Sequence, residues 1–225
     1  MSCLTNAYAA PAGLIKAVTG YPKVAIDTNG KSRTAEKGGE VFENDRITTA
    51  LDQTVTLELR ENTELIIGPS SQLIVEHYSN GSPQRTTLEL VYGLMRTWVR
   101  KKLGAEETFV VKSPSANMGV RGTKFVSDVN RLQTTVHTLE GRVVLASTAR
   151  GLDDPSQSVL VSQGQTSSIQ STATMPEPAR SFDLIEFQND LKLRAPQFER
   201  VINGAKFDES EPMKFPNGLE KPKKK

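Results

Sequence analysis

Between Val18 and Ile169 the hydrophobic positions follow a period of two. Val55, Leu57 and Leu59 alternate with Thr54, Thr56, Glu58 and Arg60, and Leu88 and Leu90 alternate with Thr87 and Glu89. Successive side chains of a strand point to opposite sides, so this spacing predicts strands with one buried and one solvated face. Phe109-Val110-Val111, Val143-Val144-Leu145 and Val159-Leu160-Val161 are short unbroken apolar runs. They predict strands covered on both faces.

Three segments share a strand–turn–strand plan: Thr54 to Ile67 turning at Glu61-Asn62, Thr86 to Val99 turning at Tyr92-Gly93, and Thr134 to Leu145 turning at Glu140-Gly141. Asn and Gly at the second turn position tolerate the positive φ of a tight hairpin. The expected fold class is all-β, with stacked antiparallel hairpins forming a β-sandwich or a short solenoid-like domain. Gly68-Pro69-Ser70-Ser71, Ser79 to Pro83 and Thr148 to Gln157 read as loops.

The period changes near the C-terminus. Residues 171–180, rich in Thr, Ala and Pro, read as a linker. Ser181 is a candidate N-cap for a helix with Leu184, Phe187 and Leu191 on one face, and a second helix is expected over Pro196 to Ile202, stopped by Asn203-Gly204. The organisation expected is therefore a leader remnant over 1–16, a β domain over 17–170, a linker over 171–180, a helical extension over 181–204 and a disordered basic tail over 205–225.

With 36% hydrophobic and only 6% aromatic residues, the core must rest on Val, Leu and Ile. Net charge is +2, and Lys221, Lys223, Lys224 and Lys225 account for the excess, so no basic face for nucleic acid is expected. The single cysteine, Cys3, excludes an internal disulfide. No apolar run approaches the roughly 18 residues of a membrane span, so no transmembrane segment is expected. Ala7-Tyr8-Ala9 has the small-x-small form of a signal-peptide cleavage site, a form any Ala-rich stretch also produces. Lipidation of Cys3 would need an apolar leader before it, and only Met1 and Ser2 precede it.

Chemistry-bearing clusters are sparse. His77 and His137 lie 60 positions apart with no Cys or carboxylate at metal-ligand spacing, and no nucleophile elbow, phosphate loop or dinucleotide fingerprint occurs. No catalytic, metal or cofactor residue is assigned. Glu58, Glu64 and Glu89 alternate with apolar positions and are expected in solvent, although two such carboxylates meeting across a cleft would suit glycoside hydrolysis. Tyr92, Leu94, Arg96, Trp98 and Arg100 fall on alternate positions and would share one face. Tyr92, Arg96, Trp98 and Arg100 are types enriched at binding hot spots. The competing reading puts Trp98 in the core while the arginines reach outward.

Phe109-Val-Val-Lys-Ser-Pro-Ser-Ala-Asn-Met-Gly-Val-Arg-Gly-Thr-Lys-Phe125 carries a Ser-Pro step and then Val-Arg-Gly-Thr before an aromatic. This stretch resembles the core motif of FecR domains. Asp45, Ile47 and Thr49, the Gly68-Pro69-Ser70 loop, Leu90 to Val99, Thr138 to Val144 and Val161 to Gln165 resemble further marks of that family in the same order, over roughly residues 38–166. Members of the family join a cytoplasmic anti-sigma region and a membrane helix to this domain in the periplasm. Nothing here resembles those two parts, so anti-sigma activity is not carried over. The resemblance implies a periplasmic or otherwise extracytoplasmic β domain acting through protein or envelope contacts.

Within the motif, Gly119 and Gly122 would allow tight backbone passage, Pro114 would end a strand, and Thr123 would bond within its own turn. Arg121 sits between Val120 and Gly122 and would need a partner if buried, because an unpaired guanidinium is costly to desolvate. Asp45 is the expected partner. The functional expectation is a non-enzymatic module recognising an envelope protein or a cell-wall polymer. The alternative is a structural scaffold docking a neighbour, or a second copy as a homo-oligomer, through the helix at 181–194.

Overall fold

The computed structural model describes residues 10–202, apart from positions 22, 60, 61, 80, 81, 101, 102, 105, 150, 151, 153 and 173. In chain order the strands are β1 (Gly13–Thr19), β2 (Ala25–Thr28), β3 (Lys31–Thr34), β4 (Glu40–Val41), β5 (Arg46–Thr48), β6 (Thr54–Leu59), β7 (Thr63–Ile67), β8 (Gln72–Ser79) and β9 (Arg85–Val99). They continue with β10 (Thr108–Lys112), β11 (Ala116–Val120), β12 (Lys124–Val129), β13 (Thr134–Glu140), β14 (Arg142–Ser147), β15 (Ser158–Ser162), β16 (Gln165–Ile169) and β17 (Arg180–Ser181). Two helices follow, α1 (Leu184–Arg194) and α2 (Pro196–Ile202).

The strands form two layers. Sheet A runs β4-β1-β6-β7-β9-β12-β13-β16-β17. Sheet B runs β3-β2-β5-β8-β9-β10-β11-β14-β15. The two share β9, whose first part pairs with β8 and β10 and whose last part pairs with β7 and β12. Their inward faces meet in one core, with Leu57, Leu65, Met95 and Phe125 from sheet A against Leu73, Leu88, Val111 and Val143 from sheet B. The fold is thus all-β, a sandwich with two short C-terminal helices, as the alternation predicts.

The chain repeatedly passes from one layer to the other. Among the described residues, eight crossings contain a residue of positive φ: Gly20, Gly38, Asn44, Ser70, Gly93, Gly122, Gly141 and Gly164. Gly93 is the tightest. Its φ is +99°, and a Cβ there would lie 2.5 Å from Ser71 Cα, so the corner inside β9 admits only glycine.

This geometry corrects several expectations. Tyr92-Gly93 is not a hairpin turn, because β9 runs unbroken through it as a bend between layers. Glu140-Gly141 turns β13 of sheet A into β14 of sheet B instead of closing a ladder between them. Thr54 to Ile67 is a true hairpin, with Asn62 at φ +59°; Glu61 lies outside the described residues. The segment expected to be leader contributes Gly13 to Lys16 to β1, where Ile15 joins the core. The expected linker is strapped along sheet A: Glu177 N donates to the Ser168 carbonyl at 2.8 Å, and Ser167 Oγ donates to the Glu177 carbonyl at 2.6 Å. Ser181 lies in β17, and the N-cap is Asp183, whose Oδ1 accepts from the backbone N–H groups of Ile185 and Glu186 at 2.8 and 2.9 Å. The second helix covers Pro196–Ile202 as predicted. The cleavage-site motif, Cys3, Asn203-Gly204 and the lysine tail fall outside the described residues. Among those described, no helix is long and apolar enough to cross a membrane.

Candidate functional site

The helices lie on the outward side of sheet A. Ile66, Leu94 and Val126 project outward from β7, β9 and β12 and form a second apolar cluster with Phe187, Leu191, Ala195 and Phe198. Gly68 leaves room there, since a Cβ on it would sit 3.2 Å from the Phe198 ring. At the edge of this cluster His137 of β13 stacks on Phe187 at 4.2 Å and meets Phe182 edge-on at 5.1 Å. Burial, followed by the nearby Arg194, lowers the His137 pKa from 6.5 to about 4, so the ring is neutral near pH 7. His137 alternates with the buried Val136 and Thr138 and projects from the outer face of β13. Of the apolar stripe of α1, expected to be available to a neighbour, Phe187 and Leu191 are instead used within the chain, while Leu184 stays 46% exposed.

Beyond the helices the same face carries the row Glu64, Trp98, Lys124 and Glu140, one residue from each of four adjacent elements. Trp98 is half-buried on this outer side, outside the core between the sheets. Its ring is walled by cations, with Arg100 at 4.5 Å, Lys124 at 4.9 Å and Arg96 at 5.7 Å from the centroid. The cations are themselves paired. Glu64 bonds Arg96 and, at 2.6 Å, Arg100; Glu58 reaches Arg100 at 3.6 Å and Lys16 at 2.7 Å; Lys124 lies 3.5 Å from Glu140. Burial, then Arg100, lowers Arg96 to about 10, which leaves it charged at neutral pH. Glu58 and Glu64 are therefore partners of strand cations and not a free carboxylate pair.

Tyr92 lies midway along β9. It stands before the Gly93 bend, is 40% exposed, and is separated from Trp98 by the residues the helices cover. The expected single binding face is thus split in two. Around Tyr92 four loops and the end of α1 converge on an open groove of about 650 Å³. Leu51, Pro69, Val91 and Pro114 line it with apolar surface, and Arg131 and the Asp128–Arg194 pair, at 2.7 Å, supply charge. The loops are held firmly. Thr49 Oγ1 donates to the Gly68 carbonyl at 2.6 Å and accepts from Ser71 N at 3.0 Å, and Leu94 N donates to Ser71 Oγ at 2.9 Å. Asn130 Oδ1 accepts from Leu132 N and Gln133 N at 2.8 and 3.1 Å, closing the next loop.

The expected Asp45–Arg121 pair does not form. Asp45 is fully buried, and its carboxylate takes Arg33, Thr28 and the Phe42 N–H as partners. The hydrogen bond to Asp45 outweighs burial and raises the Arg33 pKa. Arg33 lay in Lys31-Ser32-Arg33-Thr34, a stretch with no pattern to single it out. Arg121 is exposed, and its Nε donates to the Leu103 carbonyl at 2.6 Å. The residues around it form a corner between layers: Val120 ends β11, Gly122 has φ +68°, and buried Thr123 donates from Oγ1 to the Arg142 carbonyl at 2.8 Å. Pro114 is exposed between β10 and β11, and Gly119 leaves space filled by Leu152. Leu51, Asp128, Arg131 and Arg194 were missed because each reaches the groove from a different element. Among the described residues no group of His, Cys, Asp and Glu could hold a metal ion.

A family model described as FecR protein matches residues 45–144. Two crystal structures of a candidate anti-sigma factor from Parabacteroides distasonis, at 1.65 and 2.50 Å resolution, have a similar fold, with TM-scores of 0.52 and 0.51 at 13% identity. The similarity covers 65% and 66% of this chain and 64% and 63% of the other, so this chain spans under two thirds of that protein's length. At that identity the likeness is one of fold. No curated protein matches the chain.

Proposed function

Because residues 45–144 match a family model described as FecR protein, we propose that this chain is a non-enzymatic extracytoplasmic binding and signalling module that engages an envelope protein through the groove at Tyr92. The observation that carries the reading is the groove itself. It is shallow, lined by an exposed tyrosine and apolar loop residues, and floored by loops tied to the sandwich through buried hydrogen bonds. A rigid rim with an aromatic anchor suits recognition of a protein segment, since little ordering entropy is lost on binding. A shallow site with its carboxylates in ion pairs offers no pre-set acid and base for hydrolysis. The match to that family model supports a regulatory role outside the cytoplasm.

The test is capture from an envelope extract with the wild-type chain and with Tyr92→Ala and Leu51→Asp variants. A discrete partner held by wild type and lost by both variants, each still folded by circular dichroism, is expected. Capture of the same partner at full yield by both variants would reject the groove. Retention of a purified cell-wall polymer instead of a protein would reject the choice of partner.

A further inference from the structure

The two sheets end differently on the side of β15 and β16. Sheet A is closed off by its own chain, with β17 paired to β16 at Ser181↔Gln165 and Arg180↔Thr166 and with Glu177 bonded to Ser167 and Ser168. In sheet B, β15 pairs with β14, and no strand among the described residues pairs on its other side. An open strand edge is a template for another strand, and edges are ordinarily blunted by charge, proline or a bulge. This edge reads Ser158-Val159-Leu160-Val161-Ser162, with no charge and no proline, and its pairing with β14 has no register shift.

The same five residues read identically in both directions. An antiparallel pair of two such strands, centred on Leu160, would set leucine against leucine, Val159 against Val161 and Ser158 against Ser162. That is the self-complementarity an isologous two-fold contact requires. We propose that β15 is a self-association edge, and that a second copy of this chain pairs with it antiparallel about Leu160 to join two B sheets into one.

The side chains agree with this pairing. Leu160 points outward, is 50% exposed, and lies opposite Val144 of β14. The joined sheet would carry the unbroken apolar row Val144, Leu160, Leu160, Val144. Arg142 lies opposite Ser162, and its row would continue into Ser158 and Ala146 of the second copy, so no like charges face one another. Thr138 Oγ1 donates to the Val161 carbonyl at 3.1 Å and steadies the end of the strand, while a carbonyl retains a second lone pair for an incoming strand. Five residues a side bury much less than the roughly 1,600 Å² of a standard interface, so the dimer is weak and concentration-dependent.

Sedimentation of the whole chain at rising concentration tests the association, with Leu160→Lys as the variant. The position is half-exposed, so the charge acts on the edge and not on the core. Wild type is expected to move from one to two chain masses, and the variant to lose that shift. Register is tested by Leu160→Cys in a Cys3→Ser background. Facing residues of an antiparallel pair have Cα atoms about 4.5–5.5 Å apart, within disulfide range. Mild oxidation should therefore link chains through position 160 and not through Leu132→Cys, an exposed control. A monomer at every concentration, a dimer indifferent to Leu160→Lys, or equal linkage at positions 132 and 160 would overturn the proposal. Tyr92→Ala should leave the dimer intact, which separates this edge from the groove.

Discussion

The two outer faces of the sandwich are built from the same alternation yet are treated in opposite ways. Sheet A turns Ile66, Leu94 and Val126 outward on adjacent strands, and two helices cover them. Sheet B turns outward a mixture, in which Ile74 and Val110 share the face with Glu76 and Lys112, paired at 2.7 Å, and it stays open apart from Leu152 over Gly119. What differs is contiguity. Three apolar side chains in neighbouring strands make a patch that water penalises as a unit, whereas apolar residues interleaved with charges do not. The helices answer a local feature of sheet A and contribute nothing to the core between the sheets.

The strongest way to break this contrast is at the bend that produces both faces from one strand. Gly93→Ala would drive a Cβ to 2.5 Å from the Ser71 backbone at a φ of +99°, and a loss on the order of 5 kcal/mol is expected. Urea denaturation should show both sheets failing together. A smaller and one-sided effect is expected from Phe198→Ala, which empties the fully buried centre of the helix cluster. It should cost about 3–5 kcal/mol of docking. Hydrogen exchange should rise in α1 and along the outward side of sheet A while the amides of β10, β11 and β14 stay protected.

The third effect sharpens the comparison through pH. His137 is half-buried and neutral beneath α1, facing Phe182 and Phe187, with Arg194, Asp190 and Arg180 as its charged neighbours. Its folded pKa of about 4 lies below the unfolded 6.5, so between those values the unfolded chain binds a proton that the folded chain does not. Stability is complete above about pH 6.5 and falls toward pH 4, by up to roughly 3 kcal/mol, then levels off with respect to this group. Urea midpoints across that range should decline in wild type and decline less in His137→Leu. An identical decline in both would remove His137 as the cause.

The face that was legible as a pattern was not legible as a site. Tyr92, Arg96, Trp98 and Arg100 do alternate, but the bend at Gly93 turns Tyr92 into a different layer, and the helices bury Leu94, which lies between Tyr92 and the other three. Glycine within the run signalled a turn, and the alternatives of a hairpin and a bend between layers differ only in what packs on either side. The Asp45–Arg121 pairing failed for a related reason. Asp45 sits across from β3 in the same layer, where Arg33 is 12 residues away in sequence, while Arg121 belongs to a corner that its own neighbours satisfy.

Strand content, the inward set of Val, Leu and Ile, the places where the backbone needs glycine and the second helix all follow from local rules, because period, φ and capping depend on a few neighbouring residues. The partner of each buried charge, the face the helices cover, the convergence of loops around Tyr92 and the open edge at β15 depend on strand order. Strand order is decided by contacts between residues far apart in the chain, and only the assembled sandwich brings those together.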